Sequence, residues 1–321
     1  MNIVITGALG HIGSRLIREI PFSFPGMDII LLDNLSTHRY CSLFNLPAEG
    51  QYRFVEADVV TADLGRVFDG AEVVIHLAAI TNATDSFEMK EQVERVNYSG
   101  TEKVARACLQ TGSALIFIST TSVYGTQTGP DDESCPNTSL RPQSPYAESK
   151  LKAEQLLETL GQEAGLRFVI CRFGTVFGAS VGMRFHTAIN KFCWQAVTRQ
   201  PITVWRDALH QQRPYLDLSD AVGALKFILQ RKLFDRRVYN ILTLNTSVSQ
   251  IVQTVSGYVP DVCVQYVDSP VMNQLSYRVM SDRFKGLGFE FKGDLKRGIG
   301  DTIQLFKALT NGEIAGAIVS E

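Results

Sequence analysis

Ile3-Val4-Ile5-Thr6-Gly7-Ala8-Leu9-Gly10-His11-Ile12-Gly13 is the stretch that decides the fold. A short β-branched run meets a glycine turn spaced G-x-x-G-x-x-G, and an amphipathic segment, 11–20, follows at once. A strand that turns on glycine into a helix leaves free N–H groups and the positive end of the helix dipole facing the turn, a setting that favours a phosphate. Gly7 suits the tight turn, Gly10 the close approach of a pyrophosphate, and Gly13 close packing of helix on strand. His11 and Ile12, inside the turn, join the candidate cofactor contacts. Turn glycines are common, so the placement between strand and helix carries the reading rather than the triplet itself.

Outward from this turn, short apolar runs alternate with longer helical patterns. Strands are expected at 3–6, 29–33, 53–56, 73–76, 115–119 and 168–172, and helices at 11–20 and over the long stretch 88–110. Several strands are continuous apolar runs, as Ile29-Ile30-Leu31-Leu32 and Val73-Val74-Ile75 show, which is expected when helices cover both faces of a sheet. Alternation of this kind predicts an α/β, doubly wound parallel sheet. After residue 172 the rhythm breaks. Residues 178–182 read as a loop, 186–199, 217–230 and 295–309 as helices, and 202–205 and 238–242 as strands. The expected organisation is a nucleotide-binding unit over 1–175, with 213–243 returning to it. Residues 176–212 and 244–321 then form a smaller α/β substrate unit.

Asp33 ends the second strand, where a carboxylate can accept from ribose hydroxyls and repel a 2′-phosphate, which favours NAD over NADP. Asp58, after the third strand, faces the adenine in this reading or else caps a loop; Arg39 is read as too far along to bear on the choice. Ser144-Pro145 suits a helix start, with Ser144 as N-cap, and puts Tyr146 and Lys150 four residues apart on one helical face. A free phenol has a pKa of about 10, and a neighbouring ammonium lowers it towards a working general base. Upstream, Ser119-Thr120-Thr121-Ser122-Val123-Tyr124-Gly125 follows the fifth strand, at the end of the sheet where ligands bind.

Taken together, Thr6–Gly13, Asp33-Asn34, Asp58, His76–Ala79, Asn97–Thr101, Ser119–Gly125, Tyr146–Lys150 and Arg172–Gly178 come in the order and spacing of one family. The chain resembles an extended short-chain dehydrogenase/reductase of the nucleotide-sugar epimerase/dehydratase group, of the UDP-glucose 4-epimerase kind. The resemblance implies a Rossmann-type domain, with Thr120 as the catalytic hydroxyl, Tyr146 as acid/base, and Lys150 holding the nicotinamide ribose. It further implies NAD contacts at Asn34, Val59, Leu77, Ala78, Ala79 and Asn97. Substrate contacts fall on Thr81, Thr121, Ser122, Thr175, Trp205, Arg213 and Arg278. Family dehydratases carry Asp-Glu where this chain has Thr121-Ser122, so no acid stands ready to protonate a leaving hydroxyl.

Arg213 resembles the arginine that grips the nucleotide pyrophosphate, a task suited to a guanidinium fork. Trp205 either stacks on the base or is a core tryptophan. Thr175 stands where the family has Asn. The family's tail arginine for a second phosphate contact has no clear counterpart: Asn273 and Gln274 lie near its expected place, and Arg278 is a displaced candidate. Met183-Arg184-Phe185-His186, with Asn190-Lys191, lies where the family places residues around diphosphate and sugar; His186 also reads as a solvated helix histidine.

The expected function is NAD-dependent epimerisation of a nucleotide sugar, at C4 of a UDP-hexose, through a transient 4-keto sugar. The alternatives are dehydration, decarboxylation or net oxidation on the same scaffold, or a non-catalytic NAD-binding sensor. The resemblance suggests a homodimer through stretches 88–110 and 146–160. The 321 residues, 45% hydrophobic and 20% charged with net charge −2, give no whole-chain basic field, so neither nucleic acid nor an anionic membrane is an expected partner. Cysteines 41, 108, 135, 171, 193 and 263 form no close C-x-x-C pair, so no metal centre or disulfide framework is expected. No apolar leader is read at the start, and the cytoplasm is the expected location.

Overall fold

The apolar runs do become the centre of a sheet. A computed structural model describes residues 2–125, 130–268 and 276–307. Seven strands lie in the order Val238–Ile241, Phe168–Phe173, Ala114–Thr120, Val73–His76, Asn2–Thr6, Asp28–Asp33, Gln51–Glu56, and each neighbouring pair is parallel. Side chains alternate across the sheet, and each face meets its own helices. Ile3, Ile5 and Ile75 pack with Leu16, Ile17, Leu225 and Ile228, while Val4, Val74 and Phe117 pack with Val104, Cys108, Leu157 and Leu160 on the other side. Burial of each such aliphatic side chain contributes about 1.5–3 kcal/mol. The strand order reverses beside Asn2–Thr6, and a crevice opens at the strand carboxyl ends there.

The second half builds a separate core around Phe177, Ile189, Phe192, Ile202, Ile251 and Ile303. Thr175–Phe177, Gln212–Asp217 and Leu244–Ser247 form a three-stranded sheet, and Ile202–Trp205 pairs with Val264–Val267. Of the stretch expected to return to the first unit, helix Leu218–Arg231 and strand Val238–Ile241 pack on the large sheet, whereas the strand holding Arg213 belongs to the small one. Asn273, Gln274 and residues 308–309 lie outside the described residues. No helix among those described is long and apolar enough to cross a membrane.

The expected single helix over 88–110 is corrected. It comprises Lys90–Val93, a π-helical segment Glu94–Ser99, and Gly100–Thr111. Side-chain bonding accompanies the wider turn. The buried Asn97 amide accepts from Ile80 N at 2.9 Å and donates to Ile80 O at 2.9 Å, tying the helix to the loop that leaves the fourth strand.

His76, fully buried at the end of that strand, shows how the loop is pinned. Thr101 Oγ1 donates to Asn97 O, so its contact with His76 Nε2 at 3.1 Å has the ring as donor. The Nδ1 atom then accepts from Thr6 Oγ1 at 2.7 Å, and Thr6 in turn accepts from Ala78 N. Burial, reinforced by the Lys150 charge, lowers the His76 pKa to about 3. The unfolded chain protonates this ring near 6.5 and the folded chain only near 3, so its contribution to stability is complete above 6.5 and is lost as pH falls through that window. At pH 4.5 the urea midpoint of the protein is expected to drop well below its pH 7 value, and His76→Asn is expected to flatten that drop. An unchanged pH slope in His76→Asn would show that another group carries it.

Candidate active site

Ser144 and Pro145 start the helix Pro145–Ala164 as their chemistry dictates: Ser144 Oγ accepts from Ala147 N at 3.2 Å, and Pro145 occupies the first turn. The helix lies beside the strand Ala114–Thr120, so Tyr146 and Lys150 come to face the strand's carboxyl end, and both line a cavity of about 330 Å3, a size in the range of small-molecule sites. Thr120 lines it too. Its Oγ1 accepts from Ser122 N at 3.1 Å, which leaves its hydrogen to donate. Burial pushes the Tyr146 phenol above its ordinary pKa, opposed by the Arg184 guanidinium and by a hydrogen bond with Thr120.

Lys150, on the same helix, is anchored to the neighbouring strand. Its ammonium, 3% exposed, donates to Ile118 O at 2.8 Å and lies 4.8 Å from the Phe117 ring. Burial lowers its pKa to about 7, against the pull of Glu154. The Arg184 guanidinium, from the loop after the small-sheet strand Thr175–Phe177, favours the ionised form of the phenol.

The same cavity gathers Ile12, Leu77, Ala79, Thr81, Ser122, Thr175, Trp205 and Arg213 from the sequence-derived set, so both halves of the chain supply its walls. Arg213 Nη2 also donates to Gln211 Oε1 at 3.3 Å. Thr121 is turned away: it is buried against Phe173 O and the Tyr277 hydroxyl, at 3.3 Å each. Arg278 is exposed in the two-residue strand Arg278–Val279 and is not a wall of the cavity. Sequence reasoning passed over Tyr277, whose hydroxyl also lies 3.4 Å from Ser122 Oγ; nothing in its flanking residues signals that reach. Gln143 was passed over as well, and Arg184, His186 and Lys191 were placed only by analogy, yet all four line the cavity.

Beside the cavity, the glycine turn has the shape a dinucleotide needs. Gly7 has φ +66°, and a Cβ there would lie 2.6 Å from Ala78 N. A Cβ on Gly10 would meet Gly7 O at 3.3 Å and otherwise only the tip of Arg39, at 3.8 Å, so the turn's outer face is open. Arg39 thus stands at the turn, nearer than its sequence position suggested. Asp33 accepts from Leu9 N and Leu35 N at 3.0 Å each, which holds its carboxylate at the strand end beside the turn. Asn34 Nδ2 donates to Asp58 Oδ2 at 3.1 Å, and Asp58 Oδ1 accepts from Val60 N. This open turn with a carboxylate at the ribose position fits NAD. His11, Gly13, Val59, Ala78 and Asn97 are not among the residues that line this cavity.

The comparisons agree with this geometry. A family model described as the NAD dependent epimerase/dehydratase family matches residues 3–241. The trifunctional UDP-glucose 4,6-dehydratase/UDP-4-keto-6-deoxy-D-glucose 3,5-epimerase/UDP-4-keto-L-rhamnose-reductase of Arabidopsis thaliana is 29% identical over 337 residues, covering 99% of this chain and 49% of that protein. The chain therefore spans about half the length of that plant relative. An uncharacterized UDP-glucose epimerase of Bacillus subtilis is 32% identical over 237 residues, 71% of this chain and 72% of that one. Among solved structures, MoeE5 in complex with UDP-glucuronic acid and NAD matches with a TM-score of 0.84 at 27% identity, covering 96% of this chain and 100% of that one.

Proposed function

The chain belongs to the NAD-dependent epimerase/dehydratase family, and on that premise we propose that it is a nucleotide-sugar epimerase acting at C4 of a UDP-hexose. The observation that carries the choice of reaction is the cavity wall. Among the described residues that line it there are four basic side chains, Lys150, Arg184, Lys191 and Arg213, and no Asp or Glu. A cationic cleft suits a nucleotide diphosphate. A 4,6-elimination needs an acid to protonate the departing hydroxyl, and the wall offers only hydroxyls at Thr120 and Ser122 for that place.

Bound NAD supplies a reversible hydride acceptor. The residues of this chain supply the rest. Tyr146 takes the proton of the C4 hydroxyl and returns it. Thr120 donates to the phenol or to the sugar oxygen and fixes the angle between them. Ionisation of Tyr146 is resisted by burial and helped by the Arg184 charge and the Thr120 hydrogen bond. Lys150, with a pKa near neutrality, stands on the same helix to hold the nicotinamide ribose. Arg213 grips the sugar-nucleotide diphosphate and Trp205 offers a face for the uracil. The glycine turn, with Asp33, Asn34 and Asp58, holds the adenosine half of NAD. The reading includes a cytoplasmic setting, supported by six cysteines none of which is paired, and a homodimer through the faces of 90–111 and 145–164.

Incubation of the purified holoenzyme with UDP-glucose, UDP-glucuronic acid and UDP-N-acetylglucosamine, read by proton NMR, tests the reading. At least one is expected to reach an equilibrium of C4 epimers. If all three, and their dTDP counterparts, stay unchanged at C4, the reading fails.

A further inference from the structure

A segment of the substrate half crosses the glycine turn of the nucleotide half. The crossing rests on a missing side chain: a Cβ on Gly182 would lie 2.3 Å from Leu9 O and 2.6 Å from Gly10 O, so only glycine lets the two backbones meet. Hydrogen bonds fasten it on both sides. Gly182 N donates to Ser14 Oγ at 2.9 Å, and Ser180 Oγ donates to His11 O at 2.9 Å. From the far end, Arg184 Nη1 reaches Thr81 Oγ1 at 2.9 Å on the loop leaving the fourth strand. Asn190 holds the segment's shape, accepting from Gly178 N and donating to Arg184 O. The segment is therefore a strap tied to the turn from above.

Under the strap, a buried ring nitrogen of His11 and a buried guanidinium nitrogen of Arg184 stand without a hydrogen-bond partner. They are Nε2 of His11, a residue 4% exposed, and Nε of Arg184. Among the described residues no carboxylate pairs with Arg184, and the groups that act on it are the Tyr146 phenol and Arg39. Burial, and after it the charges of Arg184, Arg39 and His186, hold the His11 pKa well below its ordinary value, so the ring meets an anion as a neutral hydrogen-bonding group and the charge comes from Arg184. A guanidinium keeps its charge when buried, so such a group has a strong need for an anion.

We propose that this strap is the second jaw of the dinucleotide diphosphate site: Arg184 and His11 bind the diphosphate of NAD from the side opposite the glycine-turn amides, and the substrate half thereby locks the cofactor in place. The inference rests on the NAD reading above but not on the reaction. It also accounts for a requirement of epimerisation, since a cofactor retained through the cycle hands back what it takes. Arg213 is left to serve the sugar nucleotide, so the two diphosphates have separate arginines.

The test compares wild type, Arg184→Gln and Arg184→Lys as purified, with thermal unfolding to check the fold. Gln removes the charge but keeps a polar amide on a shorter side chain, and Lys restores the charge at nearly the original reach. Three quantities are read: NAD released per chain on denaturation, the rate of NAD loss on dilution, and UDP affinity by calorimetry. Arg184→Gln is expected to lose NAD about tenfold or more faster, with UDP affinity within about twofold of wild type and partial recovery in Arg184→Lys. NAD retention equal to wild type overturns the proposal, and with weakened UDP it reassigns Arg184 to the sugar nucleotide. Parallel loss of NAD and UDP binding overturns it as well, because a selective jaw would spare UDP. Failure of the epimerase reading would look different: NAD retained, the Arg184 effect present, and no inversion at C4.

Discussion

Tyr146→Phe is expected to lower kcat by about three orders of magnitude while leaving NAD content and UDP affinity close to wild type. The phenyl ring keeps the packing of the helix start, where Ser144 caps and Pro145 enters, so the fold has no reason to change. What goes is the hydroxyl that Thr120 holds in the cavity. None of the other groups there replaces it. Thr120 is too weak a base, and Lys150 is tied to Ile118 O. Arg184 has no lone pair to accept a proton. Steady-state turnover of the UDP-hexose that the wild type inverts gives the answer. A kcat within tenfold of wild type would remove Tyr146 from the chemistry. A large rise in KM at unchanged kcat would make it a binding residue instead.

The second large effect is on stability. Glu154 and Arg172, 2% and 3% exposed, form an ion pair at 2.6 Å between the helix Pro145–Ala164 and the strand Phe168–Phe173. Arg172 lies 4.9 Å over the Tyr124 ring, and Ser119 Oγ donates to Glu154. Glu154→Leu strands a guanidinium in the core and is expected to cost about 3–5 kcal/mol, read from urea unfolding. The paired change Glu154→Leu with Arg172→Met removes both charges and is expected to recover most of that loss. If the double replacement is no more stable than the single, the loss comes from packing rather than the orphaned charge. Because Ser119 precedes Thr120, Glu154→Leu also loosens the catalytic hydroxyl, and kcat should fall with stability.

The parallel sheet was legible because its strands are short apolar runs between helices, and the runs at 29–32 and 73–75 have no competing interpretation. The turn at Gly7 and the cap at Ser144 were legible for a related reason: each depends on residues adjacent in sequence, whereas the pairing of Tyr146 with Thr120 was expected through the family resemblance. Long-range geometry was not. Strand Gln212–Asp217 carries Gln, Arg and Pro in its first half and gains its place from partners at 175–177 and 244–247. The π-helical segment at 94–99 comes with bonds from Asn97 to Ile80, which spacing does not reveal. Lys150 shares a helix face with Tyr146, but neither its bond to Ile118 O nor the action of the distant Arg184 on the phenol is visible in that spacing. Gly182 looked like an ordinary loop glycine until its contact with Leu9 and Gly10 was seen.

The central claim, inversion at C4 with the hydrogen returned to the carbon it left, is tested most directly with UDP-hexose deuterated at C4. After incubation with the holoenzyme, the account predicts a mixture of C4 epimers of unchanged mass, deuterium still on C4 and no free NADH. Loss of 18 mass units with deuterium transferred to C6 would show a dehydratase. Loss of the deuterium to free NADH would show a net oxidoreductase. Either outcome would contradict the account.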